Sequence, residues 1–448
     1  MVRIEHFGGI RQKALGSSQK SRSQAPVTIL ARMVIGPIEL LKTATPDQRR
    51  TLVAAALGWM LDSFDAMLYA LVLAYVMRDL GMTKTTAGLL STLMLLASGI
   101  GGVLFGVVAD RIGRKRALML SILTYSVCSF ASGLSTSILM LAVFRFVLGL
   151  GMGGEWNTGA TLVAETWPDE MRAKAIAIVQ SSWAIGYAFA ALVAGIVLRY
   201  ANWRFVFFVG ILPAAVTLWI QNRVPESPMW EQRIRGQSPG SAGSPGTFFS
   251  ILRPPYLKST LTLLFLNFFG LFGWWGLFQW IPAYLSLPLG RGGRGFGIMG
   301  TTTLLLVLNL FGMFPGYVSF GWIADYLGRR RSFIFYLLAA ALLTPFYAMA
   351  RSQMSLLALG TIVAFFATGW FSGCATIGSE LYPTSLRARA LGLTYTGARA
   401  MSCVAPFVIG RIGDRRGLNS AFFLCAAAFL VASLMATQLS ETKGQGLQ

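Results

Sequence analysis

Charge is scarce in this chain, and acid scarcest of all. Only 12% of its 448 residues are Asp, Glu, Lys or Arg, and 17 acids stand against 38 bases. A soluble domain carries about 25% charged residues, so an ordinary aqueous surface is excluded. The one histidine, His6, leaves no imidazole in the body of the chain for a metal centre or a proton relay. Cys128, Cys374, Cys403 and Cys425 lie in apolar stretches without paired spacing, which supports neither a disulfide framework nor a thiolate metal site. No nucleophile with a base, no metal cluster and no cofactor loop is legible, so the expectation is a protein that is not an enzyme and that needs no cofactor.

What is abundant is apolar. Hydrophobic residues make up 55% of the chain and the mean hydropathy is +0.61. Runs of about 20 apolar residues, the length of one bilayer crossing, recur with short polar breaks. They fall near 52–77, 88–109, 117–134, 138–163, 174–198, 204–223, 259–287, 298–323, 332–350, 354–379, 389–410 and 418–438. The predicted fold class is an all-α membrane protein of about twelve transmembrane helices.

A net charge of +21 would suggest nucleic acid in a soluble protein, but here its position decides its meaning. With the N-terminus inside, about 26 of the 38 Lys and Arg fall on cytoplasmic segments, as the positive-inside rule requires. Both termini are therefore expected in the cytoplasm, and the protein in a bacterial inner membrane, with no nucleic-acid partner. Residues 1–50 hold Arg3, Arg11, Lys13, Lys20 and Arg22 without the apolar core of a signal peptide, and read as a basic tail.

Sliding the second half of the chain over the first reveals a repeat. Gly106-x-x-x-Asp110-Arg111-x-Gly113-Arg114-Lys115 returns as Gly321-x-x-x-Asp325-Tyr326-x-Gly328-Arg329-Arg330. Glu165-x-x-Pro168-x-x-x-Arg172 returns as Glu380-x-x-Pro383-x-x-x-Arg387, and Pro225-Glu226-Ser227 as Ser440-Glu441-Thr442. Residue 106 maps to 321, 165 to 380 and 226 to 441, a single shift of 215. The expected domains are a tail at 1–50, a six-helix bundle at 51–224, a linker at 225–258 with a Gly/Ser/Pro core at 236–246, a second bundle at 259–438 and a tail at 439–448. In each loop Asp110, Arg111, Arg114 and Glu165, or Asp325, Arg329, Glu380 and Arg387, are placed to form salt bridges that hold the two halves closed on the inner side.

Ionisable residues within spans are expensive and so are functional candidates. Asp62 and Asp65 lie three apart in span one, on a shared helical face. Arg145 and Glu155 lie in span four, and Arg399 in span eleven. Without histidine, proton coupling must use carboxylates or water. Asp65 is the first candidate, with Arg145 as its partner, and Asp62 and Glu155 tune the path. Arg399 is a fixed cation suited to a substrate carboxylate. Tyr395, Gln180, Trp183, Tyr187, Asn267, Gln279 and Trp370 complete the expected pocket, whereas Trp274, Trp275 and Trp280 read as packing or an interfacial belt.

The doubled Gly-x-x-x-Asp-Arg-x-Gly-Arg-Lys loop resembles the signature of the major facilitator superfamily. Leu61-Asp62-Ser63-Phe64-Asp65, the run Arg145-x-x-x-Gly149-x-Gly151-x-Gly153-Gly154-Glu155-Trp156, and Ala164-Glu165-Thr166-Trp167-Pro168 look like its sialate and monocarboxylate proton-symporter branch. That resemblance implies symport of a proton with a small organic acid; the expected partners are that acid and the lipid bilayer, with the protein as a monomer. Pro225-Glu226-Ser227-Pro228-Met229-Trp230 and Glu441-Thr442-Lys443-Gly444 are also similar to sugar and polyol porters, which keeps a neutral sugar as the alternative cargo. A solute sensor that transports nothing is the reading from another class.

Overall fold

Each apolar run folds into one helix or one interrupted helix. The first six are α1 (Pro46–Asp79), α2 (Lys84–Ile112), α3 (Arg114–Gly133), α4 (Ile138–Thr166), α5 (Asp169–Tyr200) and α6 (Trp203–Arg223). The second six are α7 (Leu257–Ser286), α8 (Ile298–Leu327), α9 (Arg329–Met349), α10 (Gln353–Gly378), α11 (Gly392–Gly397, Ala398–Met401, Ser402–Val404 and Ala405–Arg416) and α12 (Leu418–Ala436). The computed structural model describes residue 42 and residues 44–234, 251–383, 386 and 390–443; the basic tail up to 41, the Gly/Ser/Pro linker core and Arg387 lie outside the described residues. No strand occurs among the described residues.

Helix ends run past the apolar runs because the termini are capped in polar surroundings. Thr45 closes a capping box with Gln48, and Thr83, Ser137 and Ser352 each accept a backbone N–H of the first turn. Gly113 and Gly328 sit at φ +102° and +97°, a region only glycine enters freely, and let one helix end and the next begin within a single residue.

Ten helices are long and apolar enough to cross a membrane. The other two, α3 and α11, fall short for reasons of packing. In α3 the low hydropathy comes from Arg114-Lys115-Arg116 and from Ser121, Ser126, Ser129 and Ser132, which are buried against neighbouring helices. α11 is broken by π and 3-10 turns around Arg399.

The glycine run of α4 has a packing role. A Cβ on Gly101, Gly149 or Gly153 would penetrate backbone atoms of the facing helix, so α2 and α4 cross backbone to backbone. Within the second half α12 packs on α9 and α7. The halves meet where α2 lies on α11, α5 on α8, and α1 on the last turns of α7.

Candidate functional site

Five charged side chains are buried among the described residues: Asp62, Asp65, Arg145, Glu155 and Arg399. Burying charge without partners costs several kcal/mol per ion, so their placement requires an explanation.

Arg399 projects from α11 just after the π turn Gly392–Gly397, which offsets the helix by one residue and turns the side chain inward. It is 7% exposed, and its Nε and Nη2 have no hydrogen-bond partner. Its guanidinium carbon lies 5.8 Å from the Trp59 ring centre. It opens on a cavity of about 20 Å³ at the junction of the halves, lined by Trp59, Gln180, Trp183, Trp274, Trp275, Tyr317, Phe371, Tyr395 and Leu271. A cavity of that size holds about one water, whereas ligand pockets enclose about 300–1,000 Å³. As it stands, the cavity is too small to hold a solute.

The walls are aromatic and interlocked. Trp59 lies 4.7 Å from Trp183, Trp183 lies 6.0 Å from both Trp274 and Trp275, and Trp274 meets Phe371 at 5.8 Å. Trp274 and Trp275, expected in packing or an interfacial belt, are buried and packed, and both also line the cavity. The i, i+1 pair reaches the site because α7 presents both rings toward α5, a direction that hydropathy does not encode.

Of the expected pocket residues, Arg399, Tyr395, Gln180 and Trp183 line the cavity. Tyr187, Asn267 and Trp370 do not, and their polar atoms are engaged elsewhere: Tyr187 donates to Phe278 O at 3.2 Å, Asn267 donates to Thr394 O at 2.8 Å and accepts from Cys374 Sγ at 3.3 Å, and Trp370 donates to Ala367 O at 2.8 Å. Gln279 is fully buried at the break in α7, with both amide atoms unpartnered, and lies outside the cavity lining.

The expected Asp65–Arg145 ion pair is not formed. Asp65 accepts a hydrogen bond from Ser129 Oγ at 2.7 Å, and Gly210 leaves room for its carboxylate. Arg145 stacks 4.9 Å from the Tyr69 ring and donates to Met94 Sδ at 2.9 Å and Ala66 O at 3.4 Å. It clips α4 to α1 and α2 by cation–π and soft contacts. Asp62 and Glu155 lie instead within the electrostatic reach of Arg399, whose field acts on both. Both oxygens of Glu155 and Oδ2 of Asp62 lack a partner.

At the loop end, the ion pairs of Arg114 and of Arg329 each stay within one half. Arg114 binds Asp110 at 2.6 Å and Glu165 at 3.2 Å; Arg329 binds Asp325 at 2.5 Å and Glu380 at 3.2 Å. Glu226 and Glu441 each accept the first N–H of the following helix at 2.8 Å, and Ser227 and Thr442 bond to Glu165 and Glu380. Arg111 has no ion pair among the described residues. These pairs brace each bundle internally; Arg387, also expected in the inner-side clasp, lies outside the described residues.

A clasp between the halves that sequence reasoning missed lies at the opposite end. Asp414 of α11 caps α2, accepting from Lys84 N at 3.0 Å, Thr85 N at 2.7 Å and Thr85 Oγ1 at 2.6 Å. Two turns in, Thr92 Oγ1 donates to Cys403 O at 2.6 Å. The acid in Gly413-Asp414-Arg415-Arg416 was the available signal, but its partner lies about 330 residues away.

Two six-helix halves joined around a buried polar site define a membrane transporter fold, and the comparisons with known proteins agree. The chain belongs to the Major Facilitator Superfamily, whose profile matches residues 55–314 and 293–445. It is 32% identical to a "Probable 4-methylmuconolactone transporter" of Cupriavidus pinatubonensis over 91% of this chain and 94% of that one. It is 33% identical to the "Sialic acid transporter NanX" of Escherichia coli over 87% of this chain and 93% of the relative. Among solved structures, a partially occluded, inward-open xylose transporter from E. coli superimposes with a TM-score of 0.70 at 18% identity, covering 90% of this chain and all of that one, a likeness of fold alone.

Proposed function

We propose that the chain takes up a small organic acid by proton-coupled symport, the two halves rocking alternately around the cavity at Arg399. The observation that carries this reading is the buried, half-unpartnered guanidinium aimed into an aromatic cavity between the halves. A guanidinium satisfies a carboxylate with two parallel N–H donors, and the indole and phenol faces suit a planar, unsaturated acid body. The printed names of the two sequence relatives support an organic-acid cargo. The positive charge gathered at the loop end supports a cytoplasmic position for that end and for both termini, in a bacterial inner membrane, with the protein working as a monomer and the proton as its coupling ion.

The test is uptake of labelled benzoate, nicotinate, lactate, pyruvate, sialic acid, glucose and xylose into proteoliposomes with and without an inward proton gradient. Gradient-driven accumulation of an acid, lost in Arg399→Ala, is the expected result. Uptake of a sugar that survives Arg399→Ala would overturn it in favour of a sugar porter. No uptake of any solute would favour a sensor.

A further inference from the structure

Asp62, Glu155 and Arg399 form one electrostatic unit that the Asp65–Arg145 scheme leaves unused. Glu155 is 1% exposed, and its carboxylate lies over the Cα atoms of Gly58 and Gly159: a Cβ at Gly58 would meet its carboxyl carbon at 3.2 Å, and one at Gly159 would meet Oε1 at 3.3 Å. Two glycines thus make the space for a carboxylate that no hydrogen bond holds. Asp62 stands one turn beyond Gly58 on α1, also within reach of the Glu155 charge. The groups facing this pair are Trp59 and Asp65 from α1, Tyr125 from α3 and Arg399 from α11. Tyr125 turns its hydroxyl to Gly58 O, and Asp65 is occupied by Ser129. Arg399 is therefore the cation available to both acids.

We propose that Asp62 and Glu155 are resident counter-ions that the substrate carboxylate displaces from Arg399, so that each monoanion bound draws one proton into the site. The inference rests on the proposed symport of an organic acid. Charge counting gives the stoichiometry. With both acids ionised, the unit carries two negative charges against one positive. All three side chains are buried, with little water to screen the excess, so one proton is held between the acids and the unit is neutral. A bound monoanion takes over Arg399 and returns the net charge to minus one. The second acid is then left without its cation and takes up a proton from the open side, which restores neutrality. On release inside, the acid regains Arg399 and loses that proton to water. Substrate and proton travel together because they compete for one guanidinium, with no direct contact between them.

The test uses purified full-length protein and benzoate, or whichever monocarboxylate of the panel is accumulated. Two readouts are taken together: proton uptake on binding, by pH indicator in weak buffer, and affinity against pH, by quenching of the site tryptophans. The expected result is about one proton taken up per monocarboxylate bound, with affinity falling about ten-fold per pH unit on the alkaline side, the slope that linkage to one proton demands. In the double variant Asp62→Asn/Glu155→Gln the proton uptake and the pH slope are lost, whereas each single amide variant leaves one acid on Arg399 and retains both. Unchanged proton uptake and slope in the double amide variant would overturn the inference while leaving symport intact. Loss of the proton signal in Asp65→Asn with retention in the double variant would overturn it in favour of Asp65. If the wild-type protein binds and accumulates no acid, the symport reading itself fails, a result distinct from either.

Discussion

The two halves are copies at their loop ends and opposites at their centres. Arg114, Glu165 and Glu226 in the first half and Arg329, Glu380 and Glu441 in the second make the same bonds at nearly the same lengths. At the same shift of 215, however, Asp62 corresponds to Leu277, Asp65 to Trp280, Arg145 to Gly360, Glu155 to Trp370, and Arg399 to Ala184. Every buried charge thus has an uncharged counterpart in the other bundle. The loops brace helix ends, a task both bundles share, so symmetry suits them. The centre holds acids on one side of the junction and a lone cation on the other, and parting the halves must change the distance between them. A symmetric centre would have no such coupling between motion and charge.

The largest expected effect comes from removing the asymmetry outright. Arg399→Gln should lower binding of the transported acid about 100-fold, the weight of about 2–3 kcal/mol for charge-assisted bonds, as read by tryptophan quenching. Returning a cation to the repeat position, as Ala184→Arg in an Arg399→Ala background, should restore nothing, because residue 184 is fully buried and outside the cavity lining. Recovery of uptake by that double variant would break the claim that the location of the charge matters.

A smaller effect tests the aromatic wall. Trp275→Ala should weaken a planar acid such as benzoate about 5- to 10-fold and lactate by less than 2-fold, since stacking contributes about 0.5–1.5 kcal/mol. Equal losses for both acids would remove the argument for a planar cargo.

The symmetric parts should respond symmetrically. Arg114→Ala and Arg329→Ala each break the ion pair to the partly buried Glu165 or Glu380, and each should cost about 1–3 kcal/mol, lowering the melting temperature in detergent by a few degrees and by similar amounts. A loss confined to one half would show that the two loops share a motif but differ in duty.

The smallest effect belongs to the Asp414 clasp. Asp414→Asn removes a charged cap worth about 1 kcal/mol from the start of α2, so it should raise the maleimide labelling rate of Cys403, buried at the α2–α11 contact, a few-fold as followed by mass spectrometry. An unchanged rate would mean that other α2–α11 contacts hold that end closed.

Composition, run length and the recurring loop were enough to establish an all-helical membrane bundle duplicated in sequence, because bilayer thickness and the cost of unpaired backbone in lipid leave few other options for such a chain. The same cost singles out Asp62, Asp65, Arg145, Glu155 and Arg399 as residues that need a reason to be there. Their partners were not legible. Asp65 faces Ser129 and not Arg145, Glu155 shares Arg399 across the junction, Trp274 and Trp275 turn inward, and Asp414 reaches α2. Each of these depends on the rotation of one helix against another, and in α11 on a π turn that shifts the helix face by one residue. Hydropathy reports how much of a helix is apolar, whereas only tertiary packing decides which neighbour each polar side chain meets.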